Sequence, residues 1–405
     1  MFDNLFGNTP EEKKEKWHIF GLVLLLIPFF HPGYVSVCVP WLDLAYKAGK
    51  VISALIVMAM GLREVVKTRY LSKAAVALIA MECWMLIDVV MHQGFQGFAI
   101  LNVMSVLVVC ALIEIQIRRH ASKVLEAFLL VYELMIGINF ATMILFPDGL
   151  FYTPMQLWDN WFIGYRNMFI FYFTPALALE LMKKHAGGNP VRYYVMLTIC
   201  TLSMVMGGSK TGLLCMLVFL ALGLTGLYTK KLCNIMTVTI VGLGAFVSIV
   251  VLELQYYLTP VFEMLGRNVT FTNRVFIWEK VIECIKKSPM IGHGIPSEQV
   301  RTEMLGIWTA VTAHNFILEV LFCFGFVGLV LTVIWLSASV YQLYRYRKHP
   351  FAAAMCLGMV CFHLLMLMEG ELNNVPMYSF FFLTCCMNPF VDQMPSVCKE
   401  RTKKA

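Results

Sequence analysis

Along most of the chain, apolar stretches long enough for a membrane alternate with short polar joints rich in Lys and Arg. A bilayer core needs about 20 apolar residues per helix. Such stretches fall at 18–39, 44–63, 71–91, 96–117, 122–146, 166–183, 191–208, 211–229, 233–257, 315–342, 351–369 and 374–392. The pattern predicts an all-α integral membrane protein of about twelve transmembrane helices, forming a single polytopic domain over 1–405. One interval breaks the rhythm. Residues 258–313, between spans nine and ten, form a long polar loop. Loops beyond about 12–15 residues are uncommon unless functional or disordered. Within this loop Trp278, Val281, Ile282 and Ile285 recur at i, i+3, i+4 and i+7. That spacing predicts an amphipathic helix, capped by Thr272 or Asn273 and stopped at Ser288-Pro289.

The basic residues give an orientation. Lys13, Lys14 and Lys16 precede the first span; Arg63, Lys67, Arg69 and Lys73 follow the second; Arg118, Arg119 and Lys123 follow the fourth. Lys183, Lys184 and Arg192 follow the sixth, Lys230 and Lys231 the eighth, and Arg345, Arg347 and Lys348 the tenth. With twelve spans these groups, and the basic C-terminal end, all lie on one side, which the positive-inside rule makes cytoplasmic. Both termini are then expected inside and the loop 258–313 outside. The polar, mixed-charge stretch from Met1 to Lys16 is not expected to be a cleaved signal.

Composition supports the membrane reading: 59% of the 405 residues are hydrophobic and 14% charged, against roughly 25% charged in soluble domains. The net charge of +7 follows from topology and implies no nucleic acid. The 13 cysteines contain no C-x-x-C pair and read as small apolar packing residues.

Four cations expected outside run against the charge rule: Arg166, Lys210, Arg267 and Arg274. Exceptions of one sign point to an anionic partner. Arg274 in the first turn of the loop helix opposes the helix dipole, and is easier to understand with an anion beside it, as helix N-termini bind phosphate. Solvated or headgroup-binding arginines are the alternative. His314 and Asn315 open the tenth span; the histidine is a cap or a base, and Asn315 a polar cap. Glu319, Glu369 and Glu371 are the nearest outer carboxylates. Gly207 to Gly212 is not a phosphate loop, because Ser209 and Met204 stand where it needs glycine. Lys47 and Lys50 either snorkel or face the site. No acidic cluster suggests a metal, and no cofactor is expected.

Four places together resemble the O-antigen ligase and O-antigen polymerase-like family of bacterial membrane glycosyltransferases. They are G-R-N-V-T-F-T-N-R-V-F-I-W at 266–278 with S-P-M-I-G-H-G at 288–294, H-N-F-I-L-E at 314–319 with G-F-V-G at 325–328, G-S-K-T-G at 208–212, and Arg166-Asn167. Lys210 departs from the commoner arginine and cannot bind a phosphate bidentately. The resemblance implies a metal-independent transferase on the outer face of a bacterial cytoplasmic membrane. Its donor is an undecaprenyl-pyrophosphate-linked oligosaccharide and its acceptor a glycan or surface nucleophile. On this reading His314, Arg267 and Arg274 are catalytic, and Arg166, Lys210, Asn315 and Glu319 bind substrate. A capsular, exopolysaccharide or O-antigen polymerase is taken first, with ligase-type transfer as the alternative.

The rival of another class is a secondary transporter or lipid-linked saccharide flippase, for which Asp88, Glu133, Glu180 and His363 are the candidate intramembrane groups. It leaves the arginine-bearing loop without a role. The orientation is open to test: a cysteine introduced at Gln299 should react with a membrane-impermeant label in intact cells. Labelling only after permeabilisation would reverse the topology.

Overall fold

The computed structural model describes residues 9–93, 97–153, 156–230, 233–252, 254, 257, 274–307 and 310–396. Among these residues it is helical, with one small hairpin. The helices are α1 (Pro10–Leu26), α2 (Gly33–Cys38), α3 (Pro40–Thr68), α4 (Lys73–Gln93), α5 (Gly97–Leu145), α6 (Phe169–His185), α7 (Pro190–Gly207), α8 (Lys210–Thr225) and α9 (Ile235–Phe246). They continue with α10 (Arg274–Lys287), α11 (Glu298–Leu305), α12 (Phe316–Arg345), α13 (Pro350–Met366), α14 (Val375–Cys385) and α15 (Met387–Gln393). Lys73–Gln93, Ile100–Leu145, Pro190–Gly207 and Phe316–Arg345 are long and apolar enough to cross a membrane. Shorter apolar helices, among them Lys210–Thr225, Pro350–Met366 and Val375–Cys385, lie on other expected spans.

Several expected spans are not single rods. The first stops at Leu26, makes a 3-10 turn at Ile27–Phe29 and resumes as α2. Pro28 and Pro32 account for this, since proline lacks the N–H that a continuing helix needs. At the other extreme, α5 carries a non-helical residue at His120 (φ −140°, ψ 45°). Leu112 and Ile113, before the break, line one small apolar cavity with Val124, Ala127 and Phe128, after it, and with Leu22 and Leu26. In a straight helix residues 112 and 128 would stand about 24 Å apart, so the chain doubles back at His120. The segment 147–165 also holds an antiparallel hairpin, β1 (Phe151–Thr153) with β2 (Gln156–Asn160), which the helical pattern did not predict.

The core is centred on α6, whose residues from Phe169 to Met182 are all buried. A helix apolar on every side belongs inside a bundle, and α6 packs against α5, α7, α13 and α14. By contrast α3, α7, α8 and α9 turn large apolar side chains outward, among them Ile52, Leu62, Val205, Leu217 and Ile240. Such a surface suits hydrocarbon.

The loop between α9 and α12 packs on the bundle. Val275, Ile277, Trp278, Val281 and Cys284 form the buried face of α10, with Lys280, Glu283, Lys286 and Lys287 outside. The helix leans on α12 and α11. The expected caps Thr272 and Asn273 lie outside the described residues. After α10 the chain is threaded into a break in α12. Gly325 there is non-helical (φ 62°, ψ −165°), so carbonyls and amides of α12 are freed for the incoming strand. His293 and Gly294 donate their N–H groups to the Cys323 carbonyl (3.1 and 2.8 Å), and Phe326 donates to the Pro289 carbonyl (2.8 Å). The two backbones touch. A Cβ on Gly292 would lie 2.4 Å from the Cys323 oxygen, and one on Gly325 would lie 2.3 Å from Met290 backbone atoms. The glycines of the two sequence motifs are thus the two halves of one crossing.

That crossing makes a prediction. Gly325→Ala faces both a glycine-only backbone region, costing about 1–3 kcal/mol, and a backbone clash. Gly306→Ala shares a positive φ but meets nothing within 4 Å. In thermal melts of the purified protein Gly325→Ala should lose clearly more stability than Gly306→Ala. Equal losses would mean the crossing is loose.

Candidate functional site

The polar site forms around Glu369, in the link from α13 to α14. One of its oxygens, Oε1, accepts hydrogen bonds from Arg274 Nη2 (3.0 Å) and Asn167 Nδ2 (3.0 Å). The other, Oε2, lies 3.5 Å from His314 Nδ1, which is buried and has no hydrogen-bond partner among the described residues. Arg274 also donates from Nη1 to the Met368 carbonyl. Its planar fork therefore grips two neighbouring residues of one link, a geometry that lysine cannot reproduce. Asn167 Oδ1 in turn accepts from Ser209 Oγ (2.8 Å), while Ser209 Oγ accepts from Gly212 N–H (3.2 Å) and so caps α8. Residues 167, 209, 274, 314 and 369, from five separate segments, make one polar chain.

Burial explains why the carboxylate needs these partners. Glu369 is only 7% exposed, and an isolated buried charge is costly. Burial pushes its carboxyl up, but the contact with His314 and the charge and hydrogen bond of Arg274 outweigh it, so Glu369 is held below its ordinary value of 4.5. Glu369 is thus one anion beside the first turn of α10. Two residues on, Glu371 is partly exposed. Burial first, and then the charges of Glu369 and Glu319, push it up to about 7.

His314 is held in a left-handed conformation (φ 47°). Such strain in a non-glycine residue persists when the surroundings over-determine it, and it clusters at functional sites. Its neighbour Asn315 is fully buried. The Asn315 side chain caps α12 by accepting from Leu318 N–H (3.1 Å) and donates to the Leu367 carbonyl (3.2 Å). This fastens the start of α12 to the Glu369 link. Glu319, one turn deeper, pairs through both oxygens with the buried Arg301 of α11 (2.7 and 2.8 Å) and accepts the Ala313 N–H (2.7 Å). The described partners of Glu319 are therefore internal, and they pin α11 and the 310–313 turn to α12.

The remaining cations differ in placement. Arg166 donates from Nη1 to the Gly207 carbonyl (3.3 Å), so it lies at the α7–α8 turn. Lys210 opens α8 and is exposed, with no ion pair or hydrogen bond of its side chain among the described residues. Arg267 lies outside the described residues. Sequence reasoning named Arg274, His314, Asn315 and the 208–212 motif. It did not foresee that Glu369 is the hub, that Ser209 rather than Lys210 joins it, or that Arg301 pairs with Glu319. The one available signal was electrostatic: a cation opening a helix calls for an anion. Among the described residues no group of three or more His, Cys, Asp or Glu is placed to hold a metal ion.

Comparison with known proteins agrees with the motifs. Residues 195–333 match the family model Wzy_C, described as O-antigen ligase. The match covers Ser209, Lys210, Arg274, Arg301, His314, Asn315 and Glu319, and supports an O-antigen ligase/polymerase-like family for this chain. The matched family suggests ligase- or polymerase-type membrane glycan transfer. No curated protein matches the chain.

The hub yields a prediction with a definite sign. A carboxyl held below its ordinary value stabilises the fold fully above about pH 4.5 and loses that contribution as pH falls through the lowered value. Wild-type melting temperature should therefore drop in acid, and Glu369→Gln should flatten that limb. At neutral pH Glu369→Ala, which leaves the half-buried Arg274 without its anion, should cost about 2 kcal/mol. An unchanged acid limb in Glu369→Gln would show that the contact contributes nothing.

Proposed function

We propose that this protein transfers or polymerises saccharide units carried on undecaprenyl pyrophosphate, at the outer face of the bacterial cytoplasmic membrane. The observation that supports this best is the convergence of the family motifs on the Glu369–His314 pair. In the proposed step an acceptor hydroxyl oxygen attacks the anomeric carbon of the donor sugar. The bond from that carbon to the pyrophosphate oxygen breaks, and the pyrophosphate leaves with the electron pair. His314 takes the hydroxyl proton. Its Nδ1 faces Glu369, an arrangement that favours a proton on Nδ1 and leaves Nε2 as the acceptor, as in a base oriented by a carboxylate.

The growing negative charge on the leaving group falls to the cations. Arg274 is fixed by its fork, and Arg166, Lys210 and Arg267 complete the proposed clamp. Preorganised donors aimed at developing charge are commonly the largest catalytic contribution. In this scheme Asn315 and Glu319 are positioning residues: one fastens α12 to the Glu369 link and the other locks the loop beneath it. No metal has a step in this scheme. Among the candidate groups of the transporter reading, Glu133 and Glu180 are both within 3.0 Å of Arg192 and His363 is bonded to the Met359 carbonyl, but that reading gives the Arg274–Glu369–His314 chain no role. Polymerase and ligase share the chemistry and differ in product: a ladder of repeats for one, a single transfer for the other.

Substitution tests the roles. His314→Asn is the informative change, because asparagine tolerates the left-handed conformation. It should lower kcat by about 10²–10⁴-fold while donor binding stays within a few-fold. Arg274→Lys should lower kcat by about 10²-fold, with the charge retained. Wild-type turnover by folded His314→Asn would remove the histidine from the chemistry and direct the search for a base to Glu371.

A further inference from the structure

A cleft away from the Glu369 site opens between α3, α4 and the first half of α5. It has about 570 Å³ of empty space, open solvent at its mouth included. Gly61, Ala75 and Ala111 make the room, and Leu78, Leu107, Cys110 and Phe382 form apolar walls and floor. Polar groups stand at one end only: Glu64, Tyr70, Glu114 and Arg118. The slot therefore has the polarity of a lipid, with a charged mouth and a greasy interior.

Its length selects the occupant. Along α5 the lining runs from Leu107 to Arg118, about 16 Å at 1.5 Å per residue. That is half of a hydrocarbon core about 30 Å thick, the depth of one leaflet. A phospholipid acyl chain fits that depth, whereas a polyprenyl chain would overrun it.

The mouth selects the headgroup. Both carboxylates there already have partners. Glu114 pairs with Arg118 and accepts from Ser72 N–H (3.1 Å) and Oγ (2.8 Å). Glu64 pairs with Arg119 (2.8 Å). Arg118 is further fixed 3.9 Å above the Tyr70 ring. Around them Arg63, Lys67, Arg69 and Lys73 are all exposed, with no ion pair among the described residues. Four surplus cations beside an apolar slot suit an anionic headgroup, each basic residue near an anionic lipid surface being worth roughly five-fold in binding. A zwitterionic headgroup gains little from that surplus.

We propose that this cleft is a binding site for one acyl chain of an anionic phospholipid, with the phosphate held by the basic residues where α3 ends and α4 begins. The site is independent of the transfer reaction. The full-length protein, purified in mild detergent and stripped of lipid, is titrated with phosphatidylglycerol or with phosphatidylcholine of the same chains. Bound lipid is counted by native mass spectrometry, and melting temperature is followed in parallel. Phosphatidylglycerol should bind at one per chain and raise the melting temperature, and phosphatidylcholine should do neither. Ala111→Phe, which fills the slot, should abolish the bound lipid. Lys67→Gln with Lys73→Gln should weaken its retention by about 25-fold. Those two residues are on the surface, so this variant decides the matter if Ala111→Phe fails to fold. Equal binding of the two lipids, or undiminished phosphatidylglycerol binding in the lysine double variant, would overturn the proposal.

Discussion

A single buried carboxylate ties the candidate site together. Glu369 takes a hydrogen bond from Arg274, at the start of α10, and another from Asn167, just ahead of α6. It also faces His314, just ahead of α12. Each of these groups would be costly to bury alone. Held together, the fork of Arg274 compensates the carboxylate, and the carboxylate positions the imidazole. The distances in sequence are large, 95 residues to Arg274 and 202 to Asn167. One link between α13 and α14 thereby sets the relation of three otherwise distant segments.

Two further constraints make that arrangement rigid. The crossing of Gly292 with the break at Gly325 fixes where α10 leaves and where α12 begins, because neither backbone can move without meeting the other. Beneath it, the Arg301–Glu319 pair holds α11 against α12 in the buried interior. Breaking such a buried pair from one side is strongly destabilising, so the loop cannot swing without exposing one of the charges. His314 sits between these anchors in a conformation that other residues rarely hold.

Much of this was legible in the chain. The period of Trp278, Val281, Ile282 and Ile285 marked α10, and the motif around His314 marked the start of α12. The break within α5 coincides with Arg118 and Arg119, where two spans were expected to join. What could not be read was pairing. A sequence shows that Ser209 and Lys210 are neighbours, but not that the serine turns inward to Asn167 while the lysine stays exposed. It shows Glu319 beside His314, but not that Arg301 takes up both of its oxygens. Glu369 carried no local signal, since it is an ordinary residue in a short link whose partners come from elsewhere. The breaks at Pro28, Pro32 and Gly325 were visible as residues and were overridden by the hydropathy of the stretches that contain them.

The central claim is that the polar chain around Glu369 serves a transfer that consumes a lipid-linked donor. The most direct measurement is incubation of the purified wild-type protein with a purified undecaprenyl-pyrophosphate-linked repeat unit and an acceptor, followed by mass analysis of lipid and glycan. The account predicts that undecaprenyl pyrophosphate is released in step with new glycosidic linkages, and that folded Glu369→Ala releases far less. Donor recovered intact after incubation with folded wild-type protein, as a flippase would leave it, would contradict the account.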